Sequence, residues 1–401
     1  MYRDIKYFAN ITPLRFIAAY LVVLYHIEET RKMFNLPNLT EYSVFQQGAL
    51  AVTFFFVLSG FLITYLLLRE HAATADVAVG KFYLRRMLRI WPLYFLMVFI
   101  GLVLIPLAVK FGRVKYQAPF ESLDVVTYFL FFVPFIVNLE YGNHFLTPLW
   151  SVGIEEIYYL GWAPIVKFLR RNILAIMLGT VTMKAALAIW AYYVLQNPLV
   201  CDVLRMLQFE AMALGGLGAY FVFYRELPLE RSWVFSKPVQ VAVLALLAVR
   251  IFGHQWMAVT WPAYDGVFNQ PVVGPLVAMT LFGWLIVNVA VNRGNILRLE
   301  SRLFNYLGDI SYGVYMYHAL VISVVFVPKI KKFRAAPFVT GTIILHVAVI
   351  GLTLVLAALS KRYFENRFLR YKSRLQTVDD AVPAISTAAK ETAAKTRARA
   401  A

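Results

Sequence analysis

Long apolar runs, rather than periodic apolar stripes, fill the chain from Ile11 to about Ser360, and short polar or basic segments separate them. A helix that crosses a bilayer needs about 20 mostly apolar residues. That criterion predicts ten spans, at 11–29, 48–68, 91–109, 150–168, 173–195, 205–224, 238–253, 272–291, 304–327 and 338–360. The runs are too long and too uniformly apolar for barrel strands, whose lipid-facing and lumen-facing residues alternate. The stretch 125–137 is apolar but short, and suits a re-entrant or interfacial segment better than a crossing. The expected fold is all-α: a polytopic membrane protein of about ten transmembrane helices. No internal repeat at a fixed period appears along the chain, so an inverted-repeat transporter gains no support.

Composition sharpens this picture. Of 401 residues, 61% are apolar and 15% charged, against about 45–50% and about 25% in soluble domains. A single soluble core cannot hold that excess, so a soluble enzyme, a disordered chain and a disulfide scaffold are excluded. One cysteine, Cys201, rules out an internal disulfide and a multi-cysteine metal site, and it is expected in a loop on the outer side. The net charge of +17 raises a nucleic-acid partner as a reading. The basic residues flank apolar runs, however, as cytoplasmic loops of inner-membrane proteins do, and no nucleic-acid partner is expected. With the N-terminus inside, the inner segments carry 22 Lys and Arg against 9 in the outer loops, which predicts an N-in, C-in topology. Lys329 to Arg334 runs against that rule. The start, Met1 to Asn10, reads as short and polar, without a signal peptide. The division expected is an integral-membrane domain at 1–370 and a disordered cytoplasmic tail at 371–401, rich in Ala, Thr and Lys.

Ionisable residues inside spans are costly and mark candidate chemistry. Arg15 and His26 share the first span, eleven residues apart. That is about 16 Å along a helix and close to the same face. The bland reading is a snorkelling Arg15 and a His26 bonded to a neighbouring helix. Ser59-Gly60 ends an apolar run, where a small step lets helices approach closely. Ser59 as a nucleophile needs an adjacent base, which the sequence alone cannot supply. Arg86 and Arg89 lie one turn apart where a helix enters the membrane, so they suit phosphate binding or simple anchoring. Trp150 precedes two adjacent carboxylates, Glu155 and Glu156, followed by Tyr158. The glutamates suit orienting His26, holding a sugar hydroxyl, acid/base work or capping a helix start. His318, nine residues after Asp309, reads first as a structural hydrogen-bonding residue and second as another base. The aromatic-rich segment 110–149 suits sugar stacking or a membrane-interface belt.

Together these residues resemble the membrane-bound acyltransferase-3 family of bacterial O-acyltransferases, from Ile5 to about Phe368. Arg15 followed by His26 is similar to its Arg-x10-His signature, and Phe55 to Gly60 to its Phe-Phe-x-x-Ser-Gly. Arg86 to Tyr94 resembles its Arg-x-x-Arg and Ile-x-Pro-x-Tyr segment. Trp150-Ser151 with Glu155-Glu156 and Tyr158-Tyr159, and Leu307 to His318, resemble two further segments. Ile157 stands where Gln is usual, Ala51 where Gly is frequent and Arg367 where Pro is usual, and the Pro common near His318 is missing. The resemblance implies an enzyme of the bacterial cytoplasmic (inner) membrane. It would move an acyl group, usually acetyl, from cytoplasmic acyl-CoA to a hydroxyl of an extracytoplasmic or lipid-linked carbohydrate. No tightly bound cofactor and no metal are expected; the partners expected are acyl-CoA, a carbohydrate acceptor and membrane lipid. The roles implied are catalysis by His26, Arg15, Glu155 and Glu156, donor binding by Arg86, Arg89, Ser59 and Gly60, and acceptor contacts by Trp150 and Tyr158. His26 would act as general base or as an acyl-histidine relay, and Arg15 would stabilise the thioester oxyanion or neutralise CoA. The rival readings are a transporter or flippase of a surface glycan without acyl chemistry, and a membrane sensor or scaffold.

Overall fold

The structure, a computed structural model, describes residues 3, 5, 8, 10–112, 118–142, 144–225 and 228–373. It is all-helical. Ten long helices carry the fold: α1 (Ile11–Met33), α2 (Gly48–Thr74), α3 (Val79–Lys110), α4 (Leu149–Phe168), α5 (Arg170–Leu195), α6 (Pro198–Tyr224), α7 (Lys237–Thr260), α8 (Val273–Val291), α9 (Ser311–Ala335) and α10 (Phe338–Tyr371). Helices satisfy their own backbone polar groups, which the hydrocarbon interior demands. Among the described residues, nine of the ten are long and apolar enough to cross a membrane. The exception is α4, which carries Glu155 and Glu156 within its 20 residues.

Several boundaries differ from the sequence expectation. The third helix begins at Val79, so Arg85, Arg86 and Arg89 lie inside it rather than before it. The ninth expected span is two pieces, Arg302–Asp309 and α9, broken at Ile310. The sixth starts at Pro198 and opens at Leu207 and Gln208. There the Lys184 ammonium from α5 donates to the freed carbonyls of Leu204 (2.6 Å) and Leu207 (2.5 Å) and to Glu210 (3.0 Å). Cys201 is buried in this helix rather than sitting in a loop. The segment expected to be re-entrant folds as two short helices, Ser122–Leu130 and Phe135–Tyr141, neither long enough to span. Part of it tucks inward: Phe120, Phe129, Val137 and Phe145 are buried, so those three aromatics pack the protein, while Phe111 and Phe131 of the same stretch are exposed. His144 is also buried there, and burial pushes it down to about 4, so it stays neutral near neutral pH. Of the expected tail, residues 374–401 lie outside the described residues.

At the centre stands α2, packed by α1, α4, α6 and α8, while α9 packs on α1 and α10. In a bilayer, helices associate through close contact more than through the hydrophobic effect. The closest approach is between α2 and α6: a Cβ on Gly60 would sit 1.9 Å from Met212 O, and one on Gly215 would sit 1.9 Å from Val57 O. Both obstacles are backbone and cannot swing away. Gly60→Ala should therefore cost about 1–3 kcal/mol, read as a lower midpoint of thermal unfolding in detergent.

Candidate active site

Five helices, α1, α2, α3, α4 and α9, surround a cleft that encloses about 870 Å³ of empty space, its open mouth included. Its chemistry-bearing lining is Arg15, Ser59, Arg86, Arg89, Glu155 and Tyr315, with Tyr159, Ser311, Tyr312 and apolar residues around them. Arg86 and Arg89 reach it together because three residues bring side chains back to one helix face. Their neighbour Arg85 points elsewhere, into a buried ion pair with Glu70 at 2.7 Å, while Glu70 also accepts from the Ala78 N–H at 3.0 Å. Adjacent arginines thus have different work. Breaking a buried pair costs about 3–5 kcal/mol, so Arg85→Ala should lower the unfolding midpoint sharply and Arg86→Ala should leave it nearly unchanged.

The cleft arginines are short of partners. The Nε atoms of Arg15 and Arg86 are buried without a hydrogen-bond partner, and Arg86 otherwise lies over the Phe82 ring at 5.7 Å. Among the described residues no ion pair joins Arg15, Arg86 or Arg89. Lys361 and Arg89 lie within the electrostatic surroundings of Arg15, with Asp309 and Glu365 close to Lys361. Three clustered guanidiniums with open hydrogen-bonding capacity make a place for an anion with several acceptor oxygens.

Facing them, Ser59 Oγ donates to Glu155 Oε1 at 2.7 Å, and the Tyr159 hydroxyl donates to Glu155 Oε2 at 3.0 Å. Four residues separate Glu155 from Tyr159, so both share one face of α4. Glu156, rotated off that face, accepts from Trp91 Nε1 at 3.0 Å and does not line the cleft. Neither glutamate caps α4, since they stand in its second turn. Neither orients His26, because the partners of both carboxylates lie elsewhere. Trp150 packs edge-on against Phe56 and Tyr158 stacks on Trp162 and Phe209, so neither expected acceptor contact lines the cleft. Gly60, expected with the donor site, is spent on the contact with α6.

His26 does not line the cleft; it meets His318 of α9, whose ring lies beside that of the cleft residue Tyr315. His26 Nδ1 lies 2.9 Å from Val22 O and 3.2 Å from His318 Nε2, while His318 Nδ1 lies 2.6 Å from Tyr315 O. Carbonyl oxygens only accept, so both Nδ1 atoms carry the hydrogen. His318 Nε2 is then a bare acceptor that shares the single His26 Nδ1–H with Val22 O, and His26 Nε2 is left free to take a proton. Arg15 and His26 both face α9, as their eleven-residue spacing predicts, but Arg15 lines the cleft and His26 does not. Tyr159, Tyr315 and the pairing role of His318 were not assigned from the sequence. The spacing of Tyr159 from Glu155 was the available signal for the first.

Comparison with known proteins supplies the family. The profile of an acyltransferase domain, that of acyltransferase-3, matches residues 8–362. The chain belongs to the acyltransferase-3 family. Relatives of this acyltransferase-3 chain include the peptidoglycan O-acetyltransferase OatA of Listeria monocytogenes, 23% identical over 92% of the chain and 58% of the relative. The O-acetyltransferase OatA of Staphylococcus aureus is also 23% identical, over 90% of the chain and 57% of the relative. The chain thus spans somewhat over half the length of these relatives. No solved structure matches.

Proposed function

We propose that this acyltransferase-3 protein moves an acyl group, acetyl in the first instance, from cytoplasmic acyl-CoA to a hydroxyl of a carbohydrate on the other side of a bacterial cytoplasmic membrane. The carrying observation is the cleft itself, where three arginines without ion-pair partners face the Ser59–Glu155 pair. In this reading, with both termini on the cytoplasmic side, Arg86 and Arg89 hold the donor's phosphates and the acyl thioester reaches inward toward Ser59. Arg15 offers its donors to the carbonyl oxygen as negative charge develops there. His26 Nε2 removes the acceptor's proton, and the Nδ1–H bond to His318 steadies the imidazolium that forms. The names of the relatives favour acetyl as the group and a wall or surface glycan as the acceptor.

The test is mass spectrometry of surface glycans from cells with and without the chain, paired with acyl-CoA consumption by their membranes. Glycans heavier by one acetyl group per site, with matching release of free CoA, are the expected result. Glycan export that depends on the chain without acyl-CoA consumption would instead establish the transporter or flippase reading.

A further inference from the structure

We infer that Ser59 is an acyl carrier: it takes the acyl group from the thioester and holds it as an ester before the acceptor receives it. This rests on the proposed acyl-CoA donor. Ser59 combines three properties that, among the other hydroxyls of the cleft, only the more deeply buried Tyr159 approaches. It opens onto the cleft, it donates to a carboxylate oxygen, and it stands beside unpaired cations. Ser311 donates to Gly308 O and Tyr312 to Ile90 O, so their hydroxyls are tied to backbone rather than to a base. Ser151 and Tyr315 bond to each other. Tyr159 also reaches Glu155, but it is 4% exposed, and its bond to Oε2 keeps Oε1 turned toward Ser59. A hydroxyl with an adjacent base, itself oriented by a third group, is the arrangement nucleophilic catalysis requires.

The backbone holds this arrangement rigidly. Gly60 presses α2 onto α6 immediately after Ser59, and a Cβ on Gly153, two residues before Glu155, would fall 2.5 Å from Phe132 O. Depth gives a carrier something to do. Ser59 is eleven residues into α2 and fifteen from its end, His26 is seven residues before the end of α1, and Arg89 is ten residues into α3. At about 1.5 Å per residue, with the facing helix ends level, Ser59 lies about 6 Å deeper than His26 and about 8 Å short of Arg89. It stands between the donor's arginines and the histidine pair, so an ester at Ser59 moves the acyl group toward the acceptor end.

The steps balance as follows. Ser59 Oγ adds to the thioester carbonyl as its proton passes to Glu155 Oε1. The C–S bond then breaks, and the CoA sulfur leaves with that proton as the free thiol. In the second half, the acceptor oxygen adds to the Ser59 ester as His26 Nε2 takes its proton. The C–Oγ bond breaks, and by the end of the cycle Ser59 Oγ carries a proton again, with Glu155 Oε1 as its acceptor, and His26 has given up the one it took.

The purified 401-residue chain is incubated with radiolabelled acetyl-CoA, without acceptor, acid-quenched and mapped by peptide mass spectrometry. The expected result is one acetyl group on the peptide containing Ser59, with an equal amount of free CoA. Ser59→Ala should show no label and lose transfer by at least about 10³-fold, by comparison with losses of catalytic nucleophiles. Ser59→Cys should trap the group as a hydroxylamine-labile thioester. Ser59→Ala transferring at the wild-type rate overturns the inference, as does label on another residue that survives Ser59→Ala. Absence of label on both wild type and Ser59→Cys, while membranes still transfer acetyl, means direct transfer and also overturns it. Failure of the wild-type protein to consume acetyl-CoA even with membranes present refutes the donor assignment itself.

Discussion

His26→Ala is expected to lower acyl transfer about 10²–10⁴-fold, the range that loss of a positioned general base produces. The bundle should stay folded, since His26 is only partly buried and its side-chain bonds are to Val22 O and His318. The partner variant separates chemistry from packing. His318→Leu removes one of the two acceptors of the His26 Nδ1–H and leaves Val22 O, so kcat should fall by about tenfold, the lower end of one hydrogen bond to a charged group. In a His26→Ala background, the same His318→Leu change should do almost nothing further, because His318 acts through the missing imidazole. His318→Gln can present a carbonyl oxygen near the place of Nε2 and should recover much of the loss. The measurements are kcat and KM for donor and acceptor, with unfolding midpoints alongside. His26→Ala at the wild-type rate in folded protein would remove His26 from the chemistry. Losses that simply multiply in the double variant would assign His318 to packing.

Much of the fold was legible because the bilayer imposes a coarse rule: apolar runs of sufficient length become helices. That rule found the ten long helices and set aside 125–137, yet it blurred edges where charge enters a helix. Val79 to Ile90 is basic, and so was read as preceding the third span, although the helix is continuous through it. The break at Ile310 lies inside a mainly apolar stretch, where hydropathy has no contrast to offer. The site was legible to the extent that helical spacing is local. Arg86 with Arg89 follows from three residues along one helix, and Arg15 with His26 from eleven. Choices between adjacent residues depend on what lies across the cleft. Tyr158 was preferred to Tyr159, and Glu156 was ranked with Glu155, although a rotation of about 100° per residue separates each pair. Ser59 needed a base 96 positions away in sequence, and His26 met a histidine 292 positions away. Neither pairing has a signature in the local pattern, so a single chain could name the residues without joining them.

Arg15→Met is the complementary expectation, because activity and stability should move apart. Arg15 has a buried Nε without a partner, and among the described residues no ion pair joins it. Arg15 is partly buried and lacks a direct ion pair, although Glu155 and Asp309 carry charge near it; an apolar side chain of similar length is neutral or stabilising at such a site. The unfolding midpoint should therefore hold or rise. Transfer should fall about 10²–10³-fold, the usual loss when one donor to a developing oxyanion is removed. The kinetic form of the loss distinguishes the two roles open to this residue. Arg15 belongs to the same electrostatic cluster as Glu155 and Tyr159, which hold and face Ser59. That placement puts it at the reacting carbonyl, so kcat should carry the loss while KM for the donor stays within a few-fold. Arg86→Ala and Arg89→Ala should do the opposite and raise KM for the donor, since phosphate contacts are made equally in ground and transition states. A loss for Arg15→Met that appears wholly in donor KM would move Arg15 to the phosphate end of the cleft. A sharp drop in its unfolding midpoint would show that the cation is held by the fold rather than kept for the chemistry.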